Sequence, residues 1–101
     1  MNQENPQQKK QEIKIKINDE QAKGAYANFM KVSHNKEEFV LDFANIVPPA
    51  GVITSRIITS PGHLKRIIAA LEQNLKLYEE KFGKIEQAES LNERKEIGFS
   101  L

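Results

Sequence analysis

The pattern of apolar and polar positions changes at Ser60–Pro61. Before this point, short runs of apolar residues recur with the period of two that is typical of β-strands. After it, one apolar stripe with the 3-4 spacing of an α-helix continues to Gly83. The sequence therefore predicts a β-sheet that is followed by one long helix.

Four segments carry the strand pattern. In the first, Glu12–Ile17, three isoleucines alternate with three charged residues, which predicts a half-buried edge strand with Lys14 and Lys16 on its solvent face. The other three have apolar residues on both faces: Ala25–Val32, Glu38–Val47 and Val52–Ser60. Asn18–Gly24 is polar and predicts a connector with room for a helical turn, whereas Ser33–Lys36 and Val47–Gly51 have turn chemistry.

The helix has clear start and stop signals. Ser60 is a good N-cap, Pro61 suits the first helical position, and Gly83 suits the C-terminal cap. Packing of the stripe on the sheet is the favoured prediction, because the strands need a cover. Its spacing also fits a short coiled-coil seam. The stripe consists of Leu64, Ile67, Ile68, Leu71, Leu75, Tyr78 and Phe82.

These elements predict an α+β fold of the order ββββα, a four-stranded antiparallel meander with one helix packed on one sheet face. Residues 1–11 are expected to be a disordered tail, 12–85 a single domain, and 86–101 a charged tail that is partly helical or disordered. One helix covers only one face of a sheet, yet the later strands are apolar on both. A second copy of the chain is the expected cover, which predicts a homodimer; the alternative is that the C-terminal tail folds back.

One charged pair is predicted within the sheet. If Ile46 lies opposite Val52 across the hairpin, Asp42 lies directly opposite Arg56. An unpaired ion on an apolar sheet face costs several kcal/mol, so a structural ion pair is the favoured interpretation. The alternative is that Arg56 is an exposed anion-binding residue that Asp42 orients.

Composition narrows the class of protein. The chain has 101 residues, of which 39% are hydrophobic and 29% charged, and its formal net charge is +1. A single domain with a thin core follows from this length. The absence of cysteine excludes disulfides and thiolate metal sites, and no apolar run is long enough to cross a membrane. We therefore expect a cytoplasmic protein that is not associated with membranes.

Signs of catalysis are weak. His34 and His63 are isolated, and no catalytic, cofactor-binding or metal-binding pattern is present, so neither an enzyme nor a cofactor is expected. The start of the helix is the one candidate anion site, because free backbone N–H groups lie there beside basic side chains. These side chains are His63, Lys65 and Arg66.

Several strings together resemble a known family. They are Gly24–Phe29, Ser33–His34 with Glu38–Phe43, Ser55–Ile58, Ser60–Pro61, Leu71–Asn74 and Tyr78–Gly83. This combination is similar to the small prokaryotic proteins grouped as domain of unknown function 3467, and the resemblance covers about residues 12–85. Since the activity of that family is unassigned, the resemblance implies little about function.

Two better-understood groups share the predicted element order. The Pur-α repeat binds single-stranded nucleic acid on a basic and aromatic sheet face, and SecB-type export chaperones hold unfolded chains in apolar grooves. Both are analogies of topology only. The leading interpretation is a non-enzymatic binding protein that acts as a homo-oligomer, with single-stranded nucleic-acid binding as an alternative and peptide binding as another. The basic candidates outside the helix are Lys14, Lys16, Lys31 and Arg56, and the aromatic ones are Tyr26, Phe29, Phe39 and Phe43.

Overall fold

A computed structural model describes residues 10–89 of the chain. The tail predictions for residues 1–9 and 90–101 lie outside this range, and residues 83–89 form neither helix nor strand. The elements are α1 (Asp19–Lys23), β1 (Phe29–His34), β2 (Phe39–Val47), β3 (Ala50–Thr59) and α2 (Pro61–Phe82). The strands form one antiparallel sheet in the order β1-β2-β3, so the fold is α+β with the order βββα after the short first helix.

The prediction of four strands was wrong. Glu12–Ile17 belongs to no strand, and its isoleucines at 13, 15 and 17 are 81%, 91% and 66% exposed. Alternation specifies a preference for extended backbone and an apolar face, but it does not specify which strand edge the segment pairs with. The segment therefore has the chemistry of a strand without a partner among residues 10–89.

The connector after this segment explains why it does not pair with β1 as a tight hairpin. The side chain of Asn18 accepts a hydrogen bond of 2.7 Å from the Gln21 N–H, which caps the first turn of α1. At the other end, the Gly24 N–H donates to the Gln21 carbonyl, and Gly24 has a φ of 75° that favours glycine. Helix α1 and its caps thus occupy the residues that a chain reversal would need.

Strand β1 begins and ends later than predicted, and the turn that follows it also lies later. The side chain of Asn28 pairs with the backbone of Ile46 through two hydrogen bonds of 2.9 Å, as donor to its carbonyl and as acceptor from its N–H. Strand β1 begins at the next residue instead of Ala25. It continues to His34, and the turn follows at Asn35, whose side chain accepts from the N–H groups of Glu37 and Glu38.

The β2–β3 hairpin has a different register at its two ends. Ile46 lies opposite Gly51 and not opposite Val52, so the premise about the turn was wrong. A register shift after Phe43 leaves Thr54 as the extra residue, and its hydroxyl donates to the Phe43 carbonyl at 3.2 Å. Beyond this bulge Asp42 lies opposite Arg56.

The predicted bounds of the long helix are confirmed. The Ser60 side chain accepts a hydrogen bond of 3.1 Å from the His63 N–H, and Pro61 is the first helical residue. At the C-terminus the Gly83 N–H donates to the Glu79 carbonyl at 2.9 Å, with a φ of 92° at Gly83. Both ends are therefore fixed by local chemistry.

Removing the N-cap acceptor is expected to destabilise α2. We expect Ser60→Ala to lower the free energy of unfolding by about 1 kcal/mol, the usual contribution of such a cap. Chemical denaturation followed by circular dichroism would measure the change. Ser60→Asp keeps an acceptor at the same position, so an equal loss in that variant would contradict the capping argument.

The core is small and lies in the central strand. Leu41, Ala44 and Asp42 are the buried residues of the described chain. Helix α2 approaches the sheet with its N-terminal half, where Leu64 and Ile67 are half-buried. The prediction that the whole stripe packs on a sheet face was wrong for the C-terminal half, where the stripe residues remain exposed.

Candidate interaction surface

Pairing across the strands assigns each side chain to one of two sheet faces. Met30, Val32, Leu41 and Phe43 share one face, together with their partners on β3, and we call it the groove face. The opposite face has Lys31, Asp42 and Arg56 at paired positions, flanked by Val40 and Ile58, and we call it the ion-pair face. Both faces thus carry apolar side chains, but the charged residues of the three strands' paired region lie on the ion-pair face.

An apolar groove separates α2 from the groove face. Its volume is about 630 Å³. One wall comes from the sheet and the other from the N-terminal half of α2. Aliphatic and aromatic side chains dominate both walls, including Val32, Leu41 and Phe43 on the sheet and Leu64, Ile68 and Leu71 on the helix. The helix therefore approaches the sheet without closing against it, and it leaves an opening large enough for several side chains.

The apolar stripe continues along α2 past the groove. Leu71 is 65% exposed and Phe82 is 64% exposed, and the stripe residues between them are about half exposed. The rings of Tyr78 and Phe82 contact each other, with centroids 4.9 Å apart. Groove and stripe form one continuous apolar surface because Ile68 and Leu71 belong to both.

The ion pair on the opposite face has bidentate geometry. Arg56 Nε donates to Asp42 Oδ1 at 2.6 Å, and Arg56 Nη2 donates to Asp42 Oδ2 at 2.9 Å. The side chain of Asp42 is 10% exposed, whereas that of Arg56 is 61% exposed. The guanidinium therefore covers a carboxylate that has little contact with water, and it does so in the geometry that arginine and carboxylate favour.

The charge states of the pair are shifted in the direction that holds it together. The hydrogen bonds from Arg56 lower the pKa of Asp42; burial opposes this effect, and the positive charges of Arg56 and Lys31 reinforce it. The hydrogen bond to Asp42 raises the pKa of Arg56. Both groups remain charged at neutral pH, and the ion pair is formed. The alternative, an exposed anion-binding Arg56 that Asp42 orients, stays a prediction, since the paired guanidinium is 61% exposed.

The structure does not gather the basic candidates into one site. Lys14 and Lys16 lie in the segment before α1, Lys31 and Arg56 lie on the ion-pair face, and His63, Lys65 and Arg66 lie in the first turns of α2. All seven side chains are exposed.

The aromatic candidates are also divided. Phe39 and Phe43 lie on the groove face, and Tyr26 precedes β1. Phe29 is paired at a position of the ion-pair face but also lines the groove. A strand of nucleic acid bound by stacking and charge needs aromatic and basic side chains along one surface. Here Lys31 and Arg56 lie on the ion-pair face, whereas Phe39 and Phe43 lie on the groove face.

Neither histidine lies in a cluster that suggests chemistry. The ring of His34 stacks on Phe39, with centroids 5.1 Å apart, and the backbone N–H of His63 is part of the α2 cap. Within residues 10–89 no three His, Asp or Glu side chains are placed to hold a metal ion.

Sequence reasoning missed two structural side chains, Asn28 and Thr54. The side-chain amide of Asn28 has both a donor and an acceptor, so it can pair with a strand backbone as a peptide group does. An asparagine just before an apolar run was the sequence signal for this role. Thr54 marks the bulge in the hairpin, and nothing in a run of β-formers distinguishes it from its neighbours.

A comparison with protein families decides the affiliation. The model of a family described as protein of unknown function (DUF3467) matches residues 1–87. The chain belongs to this family. The resemblance noted in the sequence is thereby confirmed, and membership in DUF3467 assigns no activity to the surfaces described above. No curated protein and no solved structure matches the chain. In the described part of this DUF3467 chain, no helix is both long and apolar enough to span a bilayer.

Proposed function

We propose that the protein is a non-enzymatic binding protein that works as a homodimer, and that the two copies associate through the groove and the exposed stripe of α2. One observation carries the proposal: the stripe continues along α2 beyond the groove with its residues about half exposed or more. Apolar area in water is unfavourable by roughly 25 cal/mol per Å². A continuous surface of this kind is typical of an interface.

A second copy of the chain is the occupant that the stripe favours. Its 4-3 spacing is the repeat with which two helices pack side by side. Met30 and Val32, at the edge of the groove, are 48% and 45% exposed and extend the apolar surface of the stripe. A stable interface takes about 800 Å² of surface from each partner, so it needs a surface built from many such side chains. A two-fold axis would place stripe against stripe, so that each copy covers the same residues of the other.

The groove supplies a second part of the same interface. It is bordered by Ile68 and Leu71, which also belong to the stripe. Side chains of the second copy that enter the groove would displace water from an apolar cleft, which adds to the free energy of association. The same apolar lining supports a role in binding and not in catalysis, because the groove walls consist mainly of aliphatic and aromatic side chains.

Sedimentation equilibrium tests the proposal on the wild-type protein. We expect a species with twice the 11.5 kDa mass of one chain, in reversible exchange with the monomer at low concentration. A series from about 1 µM to 1 mM covers association free energies of roughly −8 to −4 kcal/mol. One species of 11.5 kDa throughout the series would contradict the proposal.

A further inference from the structure

The segment Glu12–Ile17 has the composition of a strand and lies outside the sheet. Its three isoleucines are among the most exposed apolar side chains of residues 10–89. Strict alternation puts them on one side of an extended chain, with Glu12, Lys14 and Lys16 on the other. A segment with one fully apolar side needs both a strand edge and an apolar surface next to it.

The edge of β1 offers both. No strand of residues 10–89 lies beyond β1, so within this range the edge of the ladder has no strand paired to it. Met30 and Val32, which are about half exposed, lie on its groove face, whereas Lys31 and Ser33 lie on its ion-pair face. Strand β1 is thus amphipathic in the same sense as the segment.

The other open edge fits less well. Strand β3 has apolar side chains on both faces, with Ile57 on the groove face and Ile58 and Ile53 on the ion-pair face. A segment with one charged side would place its lysines beside isoleucines there. At β1 the isoleucines of the segment would instead lie next to Met30 and Val32 and extend the apolar wall of the groove.

We propose that Glu12–Ile17 of one copy adds as a strand to the β1 edge of a second copy, with its isoleucines on the groove face. The inference rests on the proposed homodimer and specifies how the copies interlock. Within one copy, the capped helix α1 lies between the segment and β1, and the isoleucines remain in water. The exchange is reciprocal in a two-fold dimer, so the β1 edge of each copy is covered and the assembly closes.

The added strand also continues the interface already proposed. Val32 lines the groove next to the β1 edge, and Leu41 lies opposite it on the central strand. Three isoleucines that join this wall would enlarge the apolar surface that the second copy covers. Main-chain hydrogen bonds along the edge would supply affinity, and the alternating side chains would supply the register.

Cross-linking between two single-cysteine variants tests the inference directly, because the natural chain has no cysteine. Ile15→Cys protein with a purification tag is mixed with untagged Val32→Cys protein at a concentration at which the wild type is dimeric. A short bismaleimide is then added. We expect a tagged-untagged heterodimer by intact mass, and at least tenfold less of it when Val32→Cys is replaced by Gln73→Cys, which lies on the polar side of α2.

The outcomes separate this inference from the proposed function. A dimer by sedimentation without the Ile15–Val32 product would overturn strand exchange and leave the homodimer in place, whereas a monomer would overturn both. In the double variant Ile15→Cys/Val32→Cys, a looped single-chain product at low concentration would show that the segment adds to its own β1, which also overturns the exchange.

Substitution of the isoleucines gives an independent readout. The variant I13S/I15S/I17S is expected to raise the dimer dissociation constant at least tenfold. At concentrations at which the wild type is monomeric, it should leave the far-ultraviolet circular dichroism unchanged, since these side chains are exposed in one copy. The variant I13V/I15V/I17V keeps the apolar side and the preference for strand and loses only one methylene group at each position, so it should raise the constant clearly less than the serine variant does. Equal constants in the serine and valine variants would contradict a role of the segment in the interface.

Discussion

Leu75→Glu is expected to convert the proposed dimer to a monomer, with a dissociation constant at least 100-fold higher than that of the wild type. Leu75 lies in the centre of the exposed part of the stripe and does not line the groove of its own chain. In the proposed dimer each copy would bury a carboxylate in an apolar contact, and the dimer contains the substitution twice. Desolvation of an unpaired charge costs several kcal/mol, which exceeds the roughly 2.7 kcal/mol that a 100-fold change requires.

The fold of one copy should survive this change. Leu75 is about half exposed and belongs to no buried cluster of the described residues. Glutamate is also a good helix former, so the helix should persist. Sedimentation equilibrium would measure the constant, and circular dichroism would show whether the secondary structure is retained.

Leu77→Glu is the matched control. Leu77 is 56% exposed and Leu75 is 48% exposed. The two residues are two positions apart, and at about 100° per residue their side chains therefore lie on nearly opposite sides of the helix. The same substitution at Leu77 therefore changes charge, helix propensity and hydropathy equally and leaves the stripe intact. Equal loss of dimer in both variants would mean that the stripe is not the interface.

The helix could be read from the sequence because its signals are local. Ser60, Pro61 and Gly83 act within one turn of their own position, and the structure begins and ends α2 at these residues. The prediction of the ion pair, in contrast, required the register between β2 and β3, which the sequence pattern does not determine. The predicted turn was displaced by one residue and the bulge at Thr54 compensated for it. Asp42 and Arg56 are therefore opposite each other for a reason that the pattern did not contain.

The errors share one physical cause. The alternation in Glu12–Ile17 and the stripe of α2 each predict an apolar face that must be buried. Neither pattern predicts which surface packs on that face. Both faces were predicted to be covered within one chain, whereas the structure leaves the isoleucines and the C-terminal half of the stripe exposed. Periodicity predicts that a face is apolar; the partner depends on contacts between residues that are distant in the chain or that belong to another chain.

Loss of one member of the ion pair is expected to have unequal effects on stability. Arg56→Ala leaves the carboxylate of Asp42 without its donor in a site that is 10% exposed, whereas Asp42→Asn leaves an arginine that is 61% exposed and can turn to water. An unsatisfied buried charge is destabilising, and an exposed one is not. We expect Arg56→Ala to lower the melting temperature by several degrees and by clearly more than Asp42→Asn.

The two variants are compared by thermal unfolding at one protein concentration, since the proposed dimerisation would add to the apparent stability. Arg56→Lys serves as the conservative control: it keeps the charge but lacks the fork that donates to both oxygens of Asp42, so its melting temperature should lie between those of Arg56→Ala and the wild type. If Asp42→Asn were the more damaging change, the carboxylate itself and not its pairing would be the stabilising group.

The pH dependence of stability gives the same pair a second signature. Because the pKa of Asp42 is lowered in the folded chain, the unfolded chain binds its proton first as the pH falls. The contribution of the pair is therefore complete above the unfolded pKa of about 3.9 and is lost as the pH falls through the lower pKa of the folded state. Asp42→Asn removes this titration, so the difference in melting temperature between wild type and variant should shrink below about pH 4. A constant difference down to about pH 2 would mean that the pair contributes no pH-dependent stability.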